Sequence, residues 1–296
     1  MEYHKNRYTI GEFRKDYPDN DACLHKLFTL QYQGLICPKC DGQKEFTRVK
    51  NKKSYQCPSC GFQIYPMAGT IFEKSTTPLT HWFYAIYLQT TTRNGVAAKE
   101  LERQLNICYK TALRMAHQIK KLMGNNKPDK ISGICEVDEA YLGQSTSTMT
   151  KKQLKKFIDE NNTFRDNKTG IMGFISRNGQ IRTEVMTNPK TFKERVRDNV
   201  SKDATIVTDS HLGYVGLNIE FFKHETVNHI LGEYKRDEWH VNNIESFWAL
   251  LKRTIAGTHI HVDAKYLQLY ADEVCFRFMH RKQQSDMFDA ILRNVL

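Results

Sequence analysis

The chain has 296 residues, of which 40% are hydrophobic and 26% are charged, a balance typical of globular proteins. No apolar run approaches the roughly 18 residues that cross a bilayer, and the first residues lack the apolar core of a signal peptide. Composition therefore argues against a membrane-spanning or secreted protein, and we expect a cytoplasmic one with no membrane partner.

The formal net charge of +11 is concentrated in the N-terminal part of the chain. Residues 1–130 carry 21 Lys and Arg against 11 Asp and Glu, whereas residues 131–296 carry 23 against 22. A basic segment of this kind is typical of proteins that bind nucleic acid. A basic surface that only keeps the protein soluble explains the charge equally well.

Four of the eight cysteines follow a short helical segment predicted over residues 1–30 and form two Cys-x-x-Cys pairs, Cys37 with Cys40 and Cys57 with Cys60. Two such pairs complete the tetrahedral four-thiolate site that zinc favours, and Gly61 suits the tight turn after the second pair. We expect one structural Zn²⁺ in a zinc ribbon, with an iron–sulfur cluster or redox pairs as the alternatives. The other cysteines are predicted to be buried thiols: Cys23, Cys108, Cys135 and Cys275.

Helical periodicity dominates the next part of the chain. A helix is predicted from Leu79, and two shorter helices over residues 96–105 and 109–123 resemble a helix-turn-helix. The second would present basic side chains to phosphates or base edges, namely Lys110, Arg114 and Lys121. An ordinary helical pair with solvated lysines is the alternative.

Residues 124–129 are polar, contain both Gly and Pro, and predict the main domain boundary. The expected domains are an N-terminal helix with the zinc ribbon over residues 1–75, the helix-turn-helix over 76–126, and an α/β domain over 127–296.

The α/β domain is predicted from period-two patterns followed by helical ones. Its elements are a strand at 131–142, a lysine-rich insertion at 151–162, a hairpin at 170–186 that turns at Asn178 and Gly179, a helix at 191–200, strands at 204–208 and 221–227, a helix at 242–254, and a last helix that Asp263 caps and that ends near His280. This order predicts a mixed α/β domain with carboxylates at strand ends and on a flanking helix.

Three carboxylates occupy those positions: Asp138 in the first strand, Asp209 at the end of a later one, and Glu245 in a helix. Phosphoryl transfer on DNA needs two divalent cations about 3.5–4 Å apart, and carboxylates suit Mg²⁺ or Mn²⁺. Lys252 lies two helical turns after Glu245 on the same face and is a candidate phosphate contact, as is Arg253. Taken singly, each of these residues has an ordinary surface role as its alternative.

Together these residues resemble the ISXO-type insertion-sequence transposases of bacteria, which are relatives of the eukaryotic Merlin transposases. The resemblance runs from about Cys37 to Arg281. It rests on the two Cys-Pro-x-Cys pairs and on residues 68–72, 137–143, 208–211 and 240–253, of which the last segment is the most specific.

The resemblance implies an RNase H-like catalytic domain, with a mixed five-stranded sheet and flanking helices, that cuts transposon ends and joins them to target DNA with two Mg²⁺ or Mn²⁺ ions per active site. The matched positions give Asp138, Asp209 and Glu245 as metal ligands and Lys252 as a DNA contact. Some relatives use an asparagine as the third ligand, and Asn242 lies one turn before Glu245, so both remain candidates. Relatives often carry a glycine and a lysine where this chain has Gln144 and Ser145, which puts one local DNA contact in doubt.

The implied partners are double-stranded DNA, as inverted repeats at transposon ends and as target, and a second copy of the chain in a synaptic homodimer. The implied location is the bacterial cytoplasm, on nucleoid DNA. Two alternatives are a transposase-derived nuclease without strand transfer and a non-catalytic DNA-binding regulator. The intact acidic set argues against the regulator.

Overall fold

The computed structural model describes residues 7–125, 127–144, 150–152, 154–156, 167–221, 223–227 and 239–295. The chain divides into two compact units. The first unit comprises Met1–Asn125 together with Lys282–Leu296, and the second comprises Asn126–Arg281. Among the described residues, no helix is both long enough and apolar enough to cross a membrane.

The first unit begins with two helices, α1 (Ile10–Asp16) and α2 (Asn20–Tyr32), where the sequence predicts one segment. Pro18 separates them because its ring disfavours a helical conformation in the residue before it. Asp19 then starts α2, since its side chain accepts a hydrogen bond from the backbone N–H of Ala22 at 2.8 Å.

Three more helices of the first unit follow a small sheet. The sheet has three antiparallel strands, β1 (Thr47–Arg48), β2 (Tyr55–Gln56) and β3 (Gln63–Ile64), in that spatial order. The helices are α3 (Leu79–Thr91), α4 (Ala98–Leu105) and α5 (Tyr109–Gly124). Trp82 and Phe83 on α3 are fully buried, as the apolar periodicity of that segment predicts.

The second unit contains a five-stranded sheet in the order β6-β5-β4-β7-β8. Its strands are β4 (Ile134–Gln144), β5 (Asn167–Ser176), β6 (Ile181–Val185), β7 (Thr205–Asp209) and β8 (Lys223–Val227). β4, β5 and β6 pair antiparallel, whereas β7 runs parallel to both β4 and β8. The predicted mixed α/β class is thereby confirmed.

The predicted hairpin between β5 and β6 is confirmed as well. Gly179 adopts a left-handed φ of 93°, which an L side chain disfavours, and the Asn178 side chain accepts a hydrogen bond from the backbone N–H of Gln180 at 3.2 Å.

Helices cover both faces of this sheet. These are α6 (Phe192–Asn199), α7 (Asn242–Thr254) and α8 (Leu267–Met279). Ala140 of β4 belongs to the apolar core that contains Ile244 and Phe247 of α7. Val137 of β4 belongs to the core on the other face, with Val196 of α6. Since side chains alternate along a strand, Glu136 and Asp138 share the face of Ala140, towards α7.

Two expectations from the sequence are wrong. Asp263 makes no capping hydrogen bond; it pairs with His261 (3.5 Å) and Lys265 (3.9 Å), and α8 starts at Leu267 after a short 3₁₀ turn. Cys108, the residue immediately before α5, is exposed rather than buried. The lysine-rich insertion predicted at 151–162 lies largely outside the described residues.

The last segment of the chain also differs from the expectation that residues 127–296 form one domain. Residues 282–296 belong to the first unit and contain a further helix, α9 (Met287–Arg293). Phe288 of this helix packs in an aromatic cluster, with ring centroids 6.1 Å from Phe13, 5.5 Å from Tyr17 and 6.0 Å from Phe83. The burial of this ring against the first unit explains the grouping.

Candidate active site and metal centre

Asp138 and Asp209 lie at neighbouring positions on adjoining strands. β4 and β7 pair in parallel with Ile134 opposite Thr205 and Glu136 opposite Val207. The pairing ends there, two residues before Asp138 on β4 and before Asp209, the last residue of β7, and the charge of Asp209 still acts on Asp138. Two carboxylates placed this way can ligate one divalent cation or share a pair of them.

Electrostatics indicate a site that favours a cation. Burial raises the pKa of Asp138 to about 6, and the charges of Glu139 and Asp209 contribute to the rise. A backbone hydrogen bond at Glu139 and the Trp248 indole act on this pKa in the opposite direction. Because the carboxylates repel one another in a partly buried place, a bound cation would stabilise their ionised forms.

Trp248 on α7 holds the Asp138 side chain directly. Its indole Nε1 donates a hydrogen bond to Asp138 Oδ2 at 3.0 Å, and the ring is 5% exposed. The ring lies over Gly173, which is opposite Asp138 in the β4–β5 register. A Cβ atom on Gly173 would come within 2.7 Å of Trp248 Cζ2 and 2.9 Å of Ile244 Cδ1. The missing side chain thus lets α7 approach the sheet at this point.

Gly173 and Trp248 are site residues that the sequence motifs do not assign to the site. A signal for Gly173 is present, since a glycine inside a predicted strand marks a close approach by another group. Trp248 lies in the motif segment 240–253, but its contact with Asp138 has no local signal, because the two residues are distant in sequence.

Glu245 and Asn242 both lie exposed on α7. Glu245 is three residues before Trp248, so the two share one side of the helix, and Asn242 is one turn earlier. The structure thus places Asp138 and Asp209 on adjoining strands and connects α7 to Asp138 through Trp248, but among the described residues only the four cysteines, and not the three carboxylates, converge as one group of metal-ligating side chains. Both candidates for the third ligand are accessible from solvent.

Glu139 is an additional carboxylate that follows Asp138 on β4 with its side chain towards the other face of the sheet, and the sequence motifs give it no role. The Tyr214 hydroxyl donates a hydrogen bond to Glu139 Oε2 at 2.6 Å. Burial, together with the charges of Glu139, Asp138 and Asp209, raises the pKa of Tyr214 far above its usual value. Tyr214 therefore remains protonated and keeps Glu139 in a fixed orientation.

The basic residues predicted on α7 lie near its C-terminal end, where Lys252 and Arg253 are both exposed. Lys252 lines a cleft of about 290 Å³, which the end of β4 borders at Leu142 and Gly143 and which His261 also lines. Arg253 donates a hydrogen bond from Nε to the carbonyl of Ala249 at 3.2 Å. Both cations face solvent, as phosphate contacts require.

The four predicted cysteine ligands converge in the first unit. Their Sγ atoms all lie within 4.8 Å of one another, with 3.6 Å between Cys37 and Cys60 and 3.7 Å between Cys40 and Cys57. A tetrahedral zinc with bonds of about 2.3 Å places its sulfurs about 3.8 Å apart, so the cluster fits a structural metal such as zinc.

The two Cys-x-x-Cys turns share one backbone geometry. The carbonyl of Cys37 accepts a hydrogen bond from the N–H of Asp41 at 2.9 Å, and that of Cys57 accepts one from Gly61 at 2.9 Å. Asp41 and Gly61 both adopt a left-handed φ, 50° and 72°. The turn expected at Gly61 is therefore present, and Asp41 tolerates the same conformation in the first pair.

Helices α4 and α5 are joined by a three-residue turn in which Asn106 has a left-handed φ of 50°. Leu101 and Leu105, four residues apart on one face of α4, are buried. The predicted DNA-binding side chains on α5 are all exposed: Lys110, Arg114 and Lys121. The Arg114 guanidinium also lies 5.3 Å from the Trp82 ring centroid.

Comparison with known proteins defines the class. Residues 130–279, half of the chain, match the sequence model of the ISXO2-like transposase domain. The protein is thus a transposase by class, and it belongs to the ISXO2-like transposase family. The resemblance found in the sequence motifs is confirmed, and membership implies that the protein binds DNA.

One relative covers most of the chain. An uncharacterized protein in the transposable element ISH50 of Halobacterium salinarum is 25% identical over 234 residues, which are 75% of this chain and 78% of the relative. Both comparisons support a transposase role.

Proposed function

We propose that the protein is a DNA transposase that hydrolyses the DNA backbone at transposon ends and joins the freed 3′-hydroxyl ends to target DNA by two-metal-ion phosphoryl transfer. The observation that carries the proposal is the placement of Asp138 and Asp209 on adjoining parallel strands, inside the segment that matches the transposase family. The helix that carries Glu245 touches Asp138 through Trp248.

The fold we propose for the second unit is RNase H-like. Its support is the strand order. β4 lies between the antiparallel hairpin of β5 and β6 on one side and the parallel strands β7 and β8 on the other. In this fold the carboxylates at β4 and β7 would serve one site.

Asp138 and Asp209 would hold two Mg²⁺ or Mn²⁺ ions, with Glu245 or Asn242 as the third protein ligand. Such ions, when bound, activate the attacking oxygen and stabilise the leaving one. Trp248 fixes the Asp138 carboxylate through Oδ2 and leaves Oδ1 outside that bond. Lys252 and Arg253 would bind DNA phosphates beside the site, because exposed cations are suited to that contact.

The first unit would supply DNA binding. In this proposal Cys37, Cys40, Cys57 and Cys60 hold one structural Zn²⁺ in a zinc ribbon, and α4 with α5 forms a helix-turn-helix whose Lys110, Arg114 and Lys121 contact the inverted repeats. The chain would act as a homodimer, because two transposon ends must be held together for joining.

Asp209→Ala tests the catalytic part of the proposal. With Mg²⁺ or Mn²⁺, the wild-type protein should nick and join oligonucleotides that carry the ends of its own element. The variant should lose both steps at least a hundredfold, since metal ligands act as a unit, while its gel-shift affinity for the same DNA stays within about threefold. Undiminished cleavage by the variant would refute the assignment.

The same assay separates the alternatives. Cleavage without joined product would favour the nuclease, and DNA binding without cleavage would favour the regulator. Glu245→Ala and Asn242→Ala, compared side by side, decide the third ligand: the variant that loses cleavage identifies it.

A further inference from the structure

We propose that Glu136 is a positioning residue of the active site, which anchors the N-terminus of α7 to β4 and thereby sets the place of the residues that α7 brings to the metal ions. The inference rests on the proposed function, because it assumes that α7 carries a metal ligand. Glu136 itself is fully buried, so it acts through the helix rather than on DNA.

The Glu136 carboxylate receives hydrogen bonds from the first turn of α7. Oε2 accepts from the backbone N–H groups of Asn243 at 2.9 Å and Ile244 at 3.1 Å. Oε1 accepts from Asn243 Nδ2 at 2.7 Å and also lies 3.1 Å from Arg177 Nε and 3.4 Å from His240 Nδ1. Both oxygens are therefore engaged, as a buried carboxylate requires.

These contacts replace a cap that the helix lacks. The residue before α7 is Val241, which offers no side-chain acceptor to the unpaired N–H groups of the first turn. A carboxylate from the neighbouring strand supplies that acceptor, and its negative charge is favourable at a helix N-terminus. Arg177, from the turn between β5 and β6, compensates the charge.

The contacts of Glu136 lie beside the proposed catalytic residues both on β4 and on α7. Glu136 and Asp138 are two residues apart on one face of β4, about 7 Å along the strand. On α7, the Glu136 contacts at Asn243 and Ile244 immediately precede Glu245, and the Trp248 contact to Asp138 follows it. α7 is thus fixed to β4 on both sides of Glu245, which limits sliding and rotation of the helix.

A buried ion pair could also serve stability alone, and this chain contains a matched control for that case. Glu273 on α8 is likewise fully buried, pairs with Arg277 at 2.9 Å, and lies 4.0 Å from His259 Nε2. Removal of its charge disturbs a similar pair but leaves the N-terminus of α7 untouched.

The test compares Glu136→Gln with Glu273→Gln in the full chain with its zinc content verified. In E136Q an NH₂ group replaces one carboxylate oxygen of residue 136. That group then faces a donor from which the oxygen accepted a hydrogen bond, so this bond is lost. Mn²⁺ binding, measured by electron paramagnetic resonance, should weaken roughly tenfold or more in E136Q, because partners that orient ligands contribute that much. E273Q should bind Mn²⁺ as the wild type does.

A double variant tests whether Glu136 acts through α7. If it does, E136Q combined with Glu245→Ala should bind Mn²⁺ no more weakly than Glu245→Ala alone, because the helix no longer brings that ligand. With Asn242 as the third ligand, the same comparison is made with Asn242→Ala. Additive losses in both pairs would overturn the proposal.

Hydrogen exchange of the α7 backbone supplies a readout that needs no metal. The amides of Asn243 and Ile244 should exchange at least tenfold faster in E136Q than in the wild type, and E273Q should leave them unchanged. If the wild type neither binds Mn²⁺ nor cleaves DNA, the proposed function fails, while this comparison still decides whether Glu136 anchors the helix.

Asn243→Ala keeps the test decisive if E136Q does not fold. It removes only the hydrogen bond from Asn243 Nδ2 to Glu136 and, like E136Q, should weaken Mn²⁺ binding, by a few-fold. Wild-type Mn²⁺ affinity in whichever of E136Q and Asn243→Ala folds, or unchanged exchange of the α7 amides in E136Q, would overturn the proposal.

Discussion

At the scale of single residues, the ionised form of Asp138 that metal binding needs lowers the stability of the metal-free protein. Its pKa is raised to about 6, first of all by burial, so the folded protein without a bound cation bears an unfavourable charge above that pH. The unfolded chain ionises near the ordinary value of 3.8. The penalty is therefore present above pH 6 and disappears as the pH falls towards 4.

Asp138→Asn should accordingly stabilise the protein in the absence of Mg²⁺ and Mn²⁺ while abolishing cleavage. At pH 8 we expect a gain of about 1–3 kcal/mol in the free energy of unfolding of the second unit, and no gain at pH 4. Calorimetry at the two pH values measures both. A lower melting temperature for the variant at pH 8 would contradict the assignment of Asp138 to a partly buried site with an unfavourable charge.

Gly173 gives a second prediction at this scale. Gly173→Ala places a methyl group against Trp248 and Ile244, and overpacking of this kind costs about 1–3 kcal/mol. Cleavage should fall as well, since α7 is displaced from Asp138. Gly257→Ala is the control, because a Cβ atom there meets nothing within 4 Å. Equal melting temperatures for the two variants would show that α7 does not press on β5.

At the scale of elements, the sequence predicts regular segments well and their long-range partners poorly. Residues 242–254 form a helix with the predicted bounds because the apolar residues recur at helical spacing. The strand that ends at Asp209 follows from its short buried apolar run. Both of these elements are predicted from the local sequence pattern alone.

Other features depend on contacts between distant segments. Glu136 is predicted only as a strand residue, since its partners on α7 are more than a hundred positions away. The cap expected at Asp263 is wrong because a 3₁₀ turn comes before α8 and Asp263 pairs with the neighbouring His261 and Lys265 instead. No local signal places Phe288 against Phe13.

The cysteine cluster supports a prediction for one element. Cys57→Ser should reduce bound zinc from one per chain to near zero and lower the melting temperature of the first unit, because the strands β1 to β3 are too short to hold together without the metal. Cys108→Ser, at an exposed cysteine outside the cluster, should change neither. Elemental analysis and calorimetry provide the readouts, and a folded wild type free of metal would refute the zinc site.

At the scale of the whole molecule, the basic first unit should make DNA binding strongly dependent on salt. Replacing Lys110, Arg114 and Lys121 together by Ala should weaken binding and reduce the slope of log K against log salt by about 0.9 for each DNA phosphate that the variant no longer neutralises. Lys190→Ala is the control, because Lys190 pairs with Asp198. A slope equal to that of the wild type would show that these side chains of α5 do not contact DNA phosphates.

The position of α9 has a consequence for the order of synthesis. The first unit needs Phe288 for its aromatic cluster, yet residues 126–281 are made before that ring exists. A ribosome therefore delivers every proposed catalytic residue before the unit at the N-terminus can complete its core. A chain interrupted after Arg281 would carry every proposed acidic residue but lack the ring against which Phe13, Tyr17 and Phe83 pack.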